Sequence, residues 1–266
     1  MAEFDGMRVT VLGARGSVPA CGRQFTGFGG STSCYMVQAG EQTVFLDAGS
    51  GLVSAPVDFS VPPVILLSHL HLDHILGLGM YPRLSQKGKR TDIYVPAAPG
   101  EDPQALLNGV YEPPYWPLTL KNYAGDVRIS PLQAHLEAGG IAIDTLEGYH
   151  PGGCKVLRLR YNGKTLVYAT DQEPGETGCA TLAAFARDAD LLLYDGQYSE
   201  EEYESRKGFG HSTAQKGMAL MERCGAKQLL LIHHDPHSTD AELTARETAL
   251  GRADVRYARE GETIVL

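Results

Sequence analysis

Ser68-His69-Leu70-His71-Leu72-Asp73-His74 is the stretch on which the reading of this chain turns. Three of the nine histidines and one carboxylate fall at positions 69–74. The apolar run Pro63-Val64-Ile65-Leu66-Leu67 precedes them and has the character of a buried strand. A strand that ends in four donor groups delivers them together at the edge of a sheet. Imidazole and carboxylate suit zinc and similar divalent ions. If the chain runs on into a loop, His69 and His71 project to one side and reach one metal. Asp73 and His74 begin the next turn and are left for a second. Two metals a few ångströms apart clamp the attacking and leaving oxygens of a hydrolytic displacement.

The same pattern recurs downstream. His150 follows the strand-like run Ile141–Leu146 and precedes Pro151-Gly152-Gly153. Asp171 ends Thr165–Thr170, Asp195 ends Leu191–Tyr194, and His233 and His234 end Gln228–Ile232. A single histidine after a strand is usually a polar loop residue. Several such endings within one sheet converge in space.

The order His-x-His-x-Asp-His, then His150, Asp171 and His233, resembles the metallo-β-lactamase superfamily of hydrolases. Gly13-Ala14-Arg15-Gly16-Ser17, Gly29-Gly30-Ser31-Thr32-Ser33-Cys34, Phe45–Gly51, Gly210-His211-Ser212-Thr213 and Leu231-Ile232-His233 are similar to the signatures of its phosphodiesterase branch. That branch includes the tRNA-processing endonuclease RNase Z and small cyclic-phosphodiester hydrolases. The resemblance covers nearly the whole chain. It implies that His69, His71 and His150 bind a first metal, that Asp73, His74 and His233 bind a second, and that Asp171 bridges them. His234 is the alternative to His233. Asp73 would also orient the nucleophile, a hydroxide between the metals. His211, steadied by Asp195, would protonate the leaving group; a buried structural hydrogen bond is the other account of that pair. The family often carries Glu where Asp195 stands. The implied cofactors are two divalent ions, zinc first, with manganese or iron as alternatives, and analogy with the branch implies a homodimer.

Element order fits a four-layer αββα sandwich of two mixed sheets with outer helices, spanning residues 1–266 as one domain. Strand-like runs lie at Arg8–Leu12, Tyr35–Val37, Thr43–Leu46, Val64–Leu67, Ile93–Val95, Ile141–Leu146, Val156–Tyr161, Leu166–Ala169, Leu191–Tyr194, Gln228–Ile232 and Thr263–Leu266. Helical patterns lie at Ala180–Ala186, Ser212–Cys224 and Asp240–Gly251. Asn162-Gly163 reads as a tight hairpin turn. The glycine-rich stretch Thr26–Ser33 is either a phosphate cradle or a flexible loop.

Composition narrows the function. With 266 residues, 43% of them hydrophobic, the chain can bury one large core. No run is long enough for a membrane helix and the start lacks a signal pattern. Five scattered cysteines without a Cys-x-x-Cys pair are expected to be reduced thiols in the cytoplasm. A net charge of −9 disfavours general nucleic-acid binding. RNase Z inserts a long arm for tRNA between the positions equivalent to His150 and Asp171, which here are only 21 residues apart. The expected partner is therefore a small-molecule phosphodiester, possibly cyclic by analogy with the branch. A thioester or lactone on the same metal core and tRNA 3′ processing are the alternatives. Tyr111-Glu112-Pro113-Pro114-Tyr115-Trp116 would either stack a flat substrate group as a lid or pack onto the core.

Overall fold

The computed structural model describes residues 5–266. Strands β1 (Met7–Gly13), β2 (Cys34–Ala39), β3 (Gln42–Leu46), β4 (Val64–Leu66), β5 (Arg90–Val95) and β6 (Asp126–Pro131) come first. Then follow β7 (His135–Ala138), β8 (Ile141–Glu147), β9 (Lys155–Tyr161), β10 (Lys164–Ala169), β11 (Leu191–Asp195), β12 (Leu229–Ile232), β13 (Val255–Tyr257) and β14 (Thr263–Val265). The helices are α1 (Leu72–Ile75), α2 (Pro103–Asn108), α3 (Glu176–Phe185), α4 (Glu200–Ser205), α5 (Ala214–Cys224) and α6 (Asp240–Leu250). They form two seven-stranded sheets, in the orders β14-β1-β2-β3-β4-β5-β6 and β13-β12-β11-β10-β9-β8-β7.

Both sheets are mixed, as expected. Strands β3 to β6 are parallel, as are β10 to β13, and antiparallel pairs complete each sheet. Central strands β3, β4, β11 and β12 are buried along their whole length, which explains their unbroken apolar runs. Val9, Val37, Leu46 and Leu66 of one sheet meet Ile143, Leu159, Tyr168 and Ile232 of the other in the central layer. On the outer face of the second sheet, Val167, Leu192 and Leu231 pack against α3, α5 and α6. The first sheet is covered differently. One-turn helices and the aromatic loop, with Leu52, Leu78 and Tyr111, supply most of that layer.

Local chemistry sets the element ends. Asn162 and Gly163 adopt positive φ of 45° and 75°, the backbone of the expected tight turn between β9 and β10. Thr213 caps α5 by accepting from the Lys216 N–H, and Gly225 ends it in the left-handed region at φ 73°. Helix α3 begins four residues earlier than its apolar pattern suggests. Strands β6, β7 and β13 and helices α2 and α4 were not apparent from periodicity.

The glycine-rich stretch 26–33 is neither a phosphate cradle nor a loose loop. The Asp240 carboxylate accepts from the N–H groups of Gly27 and Phe28, and Glu260 accepts from those of Gly30 and Ser31. The chain's own carboxylates thus fill the anion-binding backbone. Beneath it, the fully buried Arg15 donates to the carbonyls of Gly29, Asp235 and Ser238 at 2.7–3.0 Å. Among the described residues no helix is long and apolar enough to cross a membrane.

Arg15→Met would take the guanidinium from three carbonyls, of which that of Asp235 keeps the Ser238 N–H. The expected loss is about 3 kcal/mol, or a fall in Tm of roughly 6–12 °C, measured by thermal denaturation. A change below a couple of degrees would show that these loops hold without the guanidinium.

Candidate metal centre

Strand ends build the site. β4 runs out at Leu66, the chain bends at Ser68 and is extended at His71, and α1 turns Asp73 and His74 inward over one turn. His150 lies in the β8–β9 connection, Asp171 follows β10, Asp195 closes β11 and His233 follows β12. Because β10, β11 and β12 are neighbouring parallel strands, their C-terminal ends share one sheet edge. Asp47, Asp171 and His233 sit at positive φ of 59°, 52° and 61°, a conformation that costs energy outside glycine. Close approach explains two motif glycines. A Cβ on Gly16 would lie 2.3 Å from the His233 ring, and one on Gly210 2.2 Å from His150 Nδ1.

The sequence-predicted donors come together. One nitrogen each from His69, His71 and His150 and one Asp171 oxygen lie within 4.8 Å of one another, and so do atoms of Asp73, His74 and His233. Asp171 stands between the two sets and divides its oxygens. Oδ2 lies 3.6 Å from His69 Nε2 and 3.7 Å from His150 Nε2. Oδ1 lies 3.4 Å from both His74 Nε2 and His233 Nε2. Asp73 Oδ2 approaches His74 Nε2 at 3.2 Å and His233 Nε2 at 3.1 Å, and accepts from the Ser17 N–H at 2.7 Å. Asp73 is buried, not at the exposed loop position its polarity suggests. His71 is exposed, so the first set opens to solvent while the second is enclosed.

Hydrogen bonds behind the imidazoles decide which nitrogens carry lone pairs. His150 Nδ1–H donates to the Gly210 carbonyl at 2.9 Å, His233 Nδ1–H to Gln197 Oε1 at 3.0 Å, and His74 Nδ1–H to Asp47 Oδ2 at 2.7 Å. The Ser68 hydroxyl gives its one proton to Asp47, so it accepts from His69 Nδ1–H at 3.0 Å. Each of these rings, once neutral, aims its Nε2 lone pair inward. Those atoms crowd: His74 and His233 Nε2 are 3.3 Å apart, and His150 Nε2 is 3.1 Å from His71 Nδ1. His69 Nε2 is buried with no partner. Converging lone pairs beside two buried carboxylates need a cation, and this donor set fits divalent metal ions.

Electrostatics agree. Burial opposes charge on Asp171, yet His233 and His74 outweigh it and hold the carboxyl well below its usual range. Asp73 is held down in the same way by His74 and His233 against its own burial. Burial likewise opposes a charge on His233, but Asp171 and Asp73 prevail and raise it to about 9. His69, for which burial dominates, is pushed well below its ordinary value and stays a neutral donor.

Beside the donors, His211 Nδ1–H donates to Asp195 Oδ2 at 2.8 Å, so the shorter aspartate does reach its imidazole. Asp195 also accepts from the N–H groups of Gln197 and Ser212. The His211 ring stacks on His233 at 4.8 Å between centroids. His234 points away: its Nε2–H donates to the Ala258 carbonyl at 2.8 Å, and burial first of all lowers its pKa to about 3. Of the adjacent pair, His233 therefore faces the site. The Tyr111–Trp116 loop packs onto the core. Tyr111 is buried and donates to the Ile75 carbonyl, and Trp116 donates to Tyr123, so that of the loop's three rings only Tyr115 faces fully outward. Two contributors escaped sequence reasoning. Asp47 reaches His74 directly and His69 through Ser68; it too ends an apolar run, the signal that marked the others. Gln197 behind His233 has no such signal.

The beta-lactamase superfamily domain model matches residues 42–234. The probable metallo-hydrolase YhfI of Bacillus subtilis is 28% identical over 96% of this chain and 98% of its own. Its crystal structure superposes with a TM-score of 0.74, at 24% identity over 98% of this chain and all of that one. Ribonuclease Z of Halorubrum lacusprofundi is 24% identical over 97% of this chain and 94% of its own. A diphosphatase of the PhnP family shares the fold with a TM-score of 0.73 and 19% identity, over 98% of this chain and 97% of that one.

Protein purified without chelators is expected to carry two equivalents of divalent ion by metal analysis. Because an ion must displace the proton that His233 holds below about pH 9, apparent affinity should climb with pH by about tenfold per unit for that proton and level off above about 9. A pH-independent affinity would remove His233 from the donor set. Asp47→Ala should weaken metal binding about 10–100-fold, read by competition with a chromophoric chelator, although Asp47 is not a donor itself. Unchanged affinity would mean that His74 and His69 are oriented without it.

Proposed function

This chain is a metallo-hydrolase of the beta-lactamase superfamily, and we propose that it hydrolyses a small phosphodiester at a dinuclear site. The observation that carries the reading is the divided Asp171 carboxylate, with one oxygen toward each histidine set and the His211–Asp195 pair alongside. His69, His71 and His150 would hold one ion, Asp73, His74 and His233 the other, with Asp171 shared between them. The nitrogen-rich set suits zinc best, with manganese or iron as alternatives. Such ions, when bound, polarise phosphoryl oxygens and make water acidic enough to attack near neutral pH.

The protein's own groups do the rest. Asp73 Oδ2, fixed by the Ser17 N–H, is placed to accept a hydrogen bond from the attacking water and so orient it. His211 gives its Nδ1–H to Asp195, which leaves Nε2 as the atom that would carry a proton to the departing alkoxide. Asp195, buried and held by backbone N–H groups, fixes that tautomer and the orientation of the ring.

Substrate size follows from what surrounds the site. The 150–171 span is a plain β9–β10 hairpin, with no arm to hold tRNA. The adjoining cleft is about 630 Å³, within the usual range for small-molecule sites.

A panel of bis(p-nitrophenyl) phosphate, a thioester and a lactone, with zinc or manganese added, tests the class. Phosphodiester turnover should dominate; a faster thioester or lactone would overturn the reading. His211→Ala should slow diesters with poor alkoxide leaving groups by roughly 10²–10⁴-fold. A nitrophenolate diester should be affected far less, and metal content should not change. Equal losses on both substrates would assign His211 to phosphoryl binding instead.

A further inference from the structure

The cleft beside the site is asymmetric in shape and in charge. It opens from His69 and His71 and runs between the 96–106 segment and the 147–155 turn. His71 is exposed while the second donor set is enclosed, so a substrate meets the protein on the His71 side. His211 does not line the cleft. It lies across the site, against His150 and His233, with ring centroids 5.0 Å and 4.8 Å away. If His211 serves the leaving group, the cleft receives the group that stays on phosphorus.

The walls describe that group. Leu70, Pro96, Pro99 and Leu106 give an apolar side. Gly152 and Gly153 also line the cleft, without side chains, next to the exposed His71. The charged lining is Glu101, Glu147 and Lys155, with no arginine. Lys155 is engaged by Glu147, and Glu101 is pinned at the lip by the Ala98 N–H at 2.7 Å. No lining cation is left over to meet a second phosphate, and with two carboxylates against one ammonium the lining carries a net negative charge.

We propose that this cleft binds an uncharged, nucleoside-sized retained group, and that Glu101 and Glu147 reject substrates bearing a further phosphate there. The inference rests on the phosphodiesterase reading and narrows it to diesters whose only negative charge is at the reacting phosphorus. It also gives a physical reason, separate from the missing arm, for a polyanionic nucleic-acid strand to be a poor substrate.

The test compares thymidine 5′-(p-nitrophenyl phosphate) with the same compound phosphorylated at its 3′ oxygen. Reacting phosphorus and leaving group are identical; only charge in the cleft differs. For the metal-loaded protein, kcat/KM should be roughly tenfold lower for the 3′-phosphorylated compound at low salt, with the gap narrowing as salt screens it. In the Glu101→Gln/Glu147→Gln double variant the ratio of kcat/KM between the two compounds should shrink by about threefold or more. A second reading needs no turnover: thymidine added to metal-free protein should shift the methyl resonances of Leu70 and Leu106. Equal or reversed preference in the unaltered protein, or thymidine-induced shifts that spare those methyls, would overturn the proposal. Turnover of neither compound, with those methyls shifting as expected, would instead overturn the phosphodiesterase reading and, with it, charge selection during catalysis.

Discussion

A buried carboxylate that faces two clusters of imidazole lone pairs is the constraint from which the rest of this molecule follows. Asp171 is almost wholly withdrawn from water, and so are Asp73, His74 and His233. Desolvated charge of this density is tolerated only when opposite charge is supplied in the same place. Protons on the histidines can supply part of it, which is why His74 and His233 rise above their ordinary values despite burial. Divalent ions supply it more fully, and they satisfy the unpartnered His69 Nε2 as well.

The two-sheet fold makes that crowding affordable in geometry. Parallel β10, β11 and β12 end at one edge, and β3 and β4 end opposite them, so donors distant in sequence need only short turns to meet. Left-handed residues at Asp47, Asp171 and His233 end the strands abruptly and swing the side chains into the gap. A rear layer then fixes four of the five rings: Asp47, Ser68, Gln197 and the Gly210 carbonyl hold the tautomers and positions of His74, His69, His233 and His150. Asp47 couples the halves, because one carboxylate orients His74 and, through Ser68, His69.

Much of this was legible in the chain itself. Residues 69–74 and the apolar runs ending at Asp171, Asp195 and His233 carry their own signal, since a strand buried on both faces must be continuously apolar and a donor can appear only at its end. The strands that escaped notice are β6, β7 and β13, all at sheet edges. An edge strand buries less and tolerates polar residues such as His135 and Glu137, so no apolar run announces it. Short α2 and α4 lack the length to show a period. The glycine-rich 26–33 stretch misled in the other direction. Its anion-binding backbone is real, but Asp240 and Glu260, more than two hundred residues away, already fill it. Choosing between His233 and His234 likewise required knowing which way β12 faces at its end.

The account stands on two ions sharing Asp171, and electron paramagnetic resonance of the manganese-loaded protein addresses that directly. At two equivalents of Mn²⁺ the spectrum should be that of an exchange-coupled pair, the ions lying about 3.5–4 Å apart as in other two-metal sites. Asp171→Asn should remove the coupling. An uncoupled six-line spectrum from the unaltered protein at full loading would contradict it.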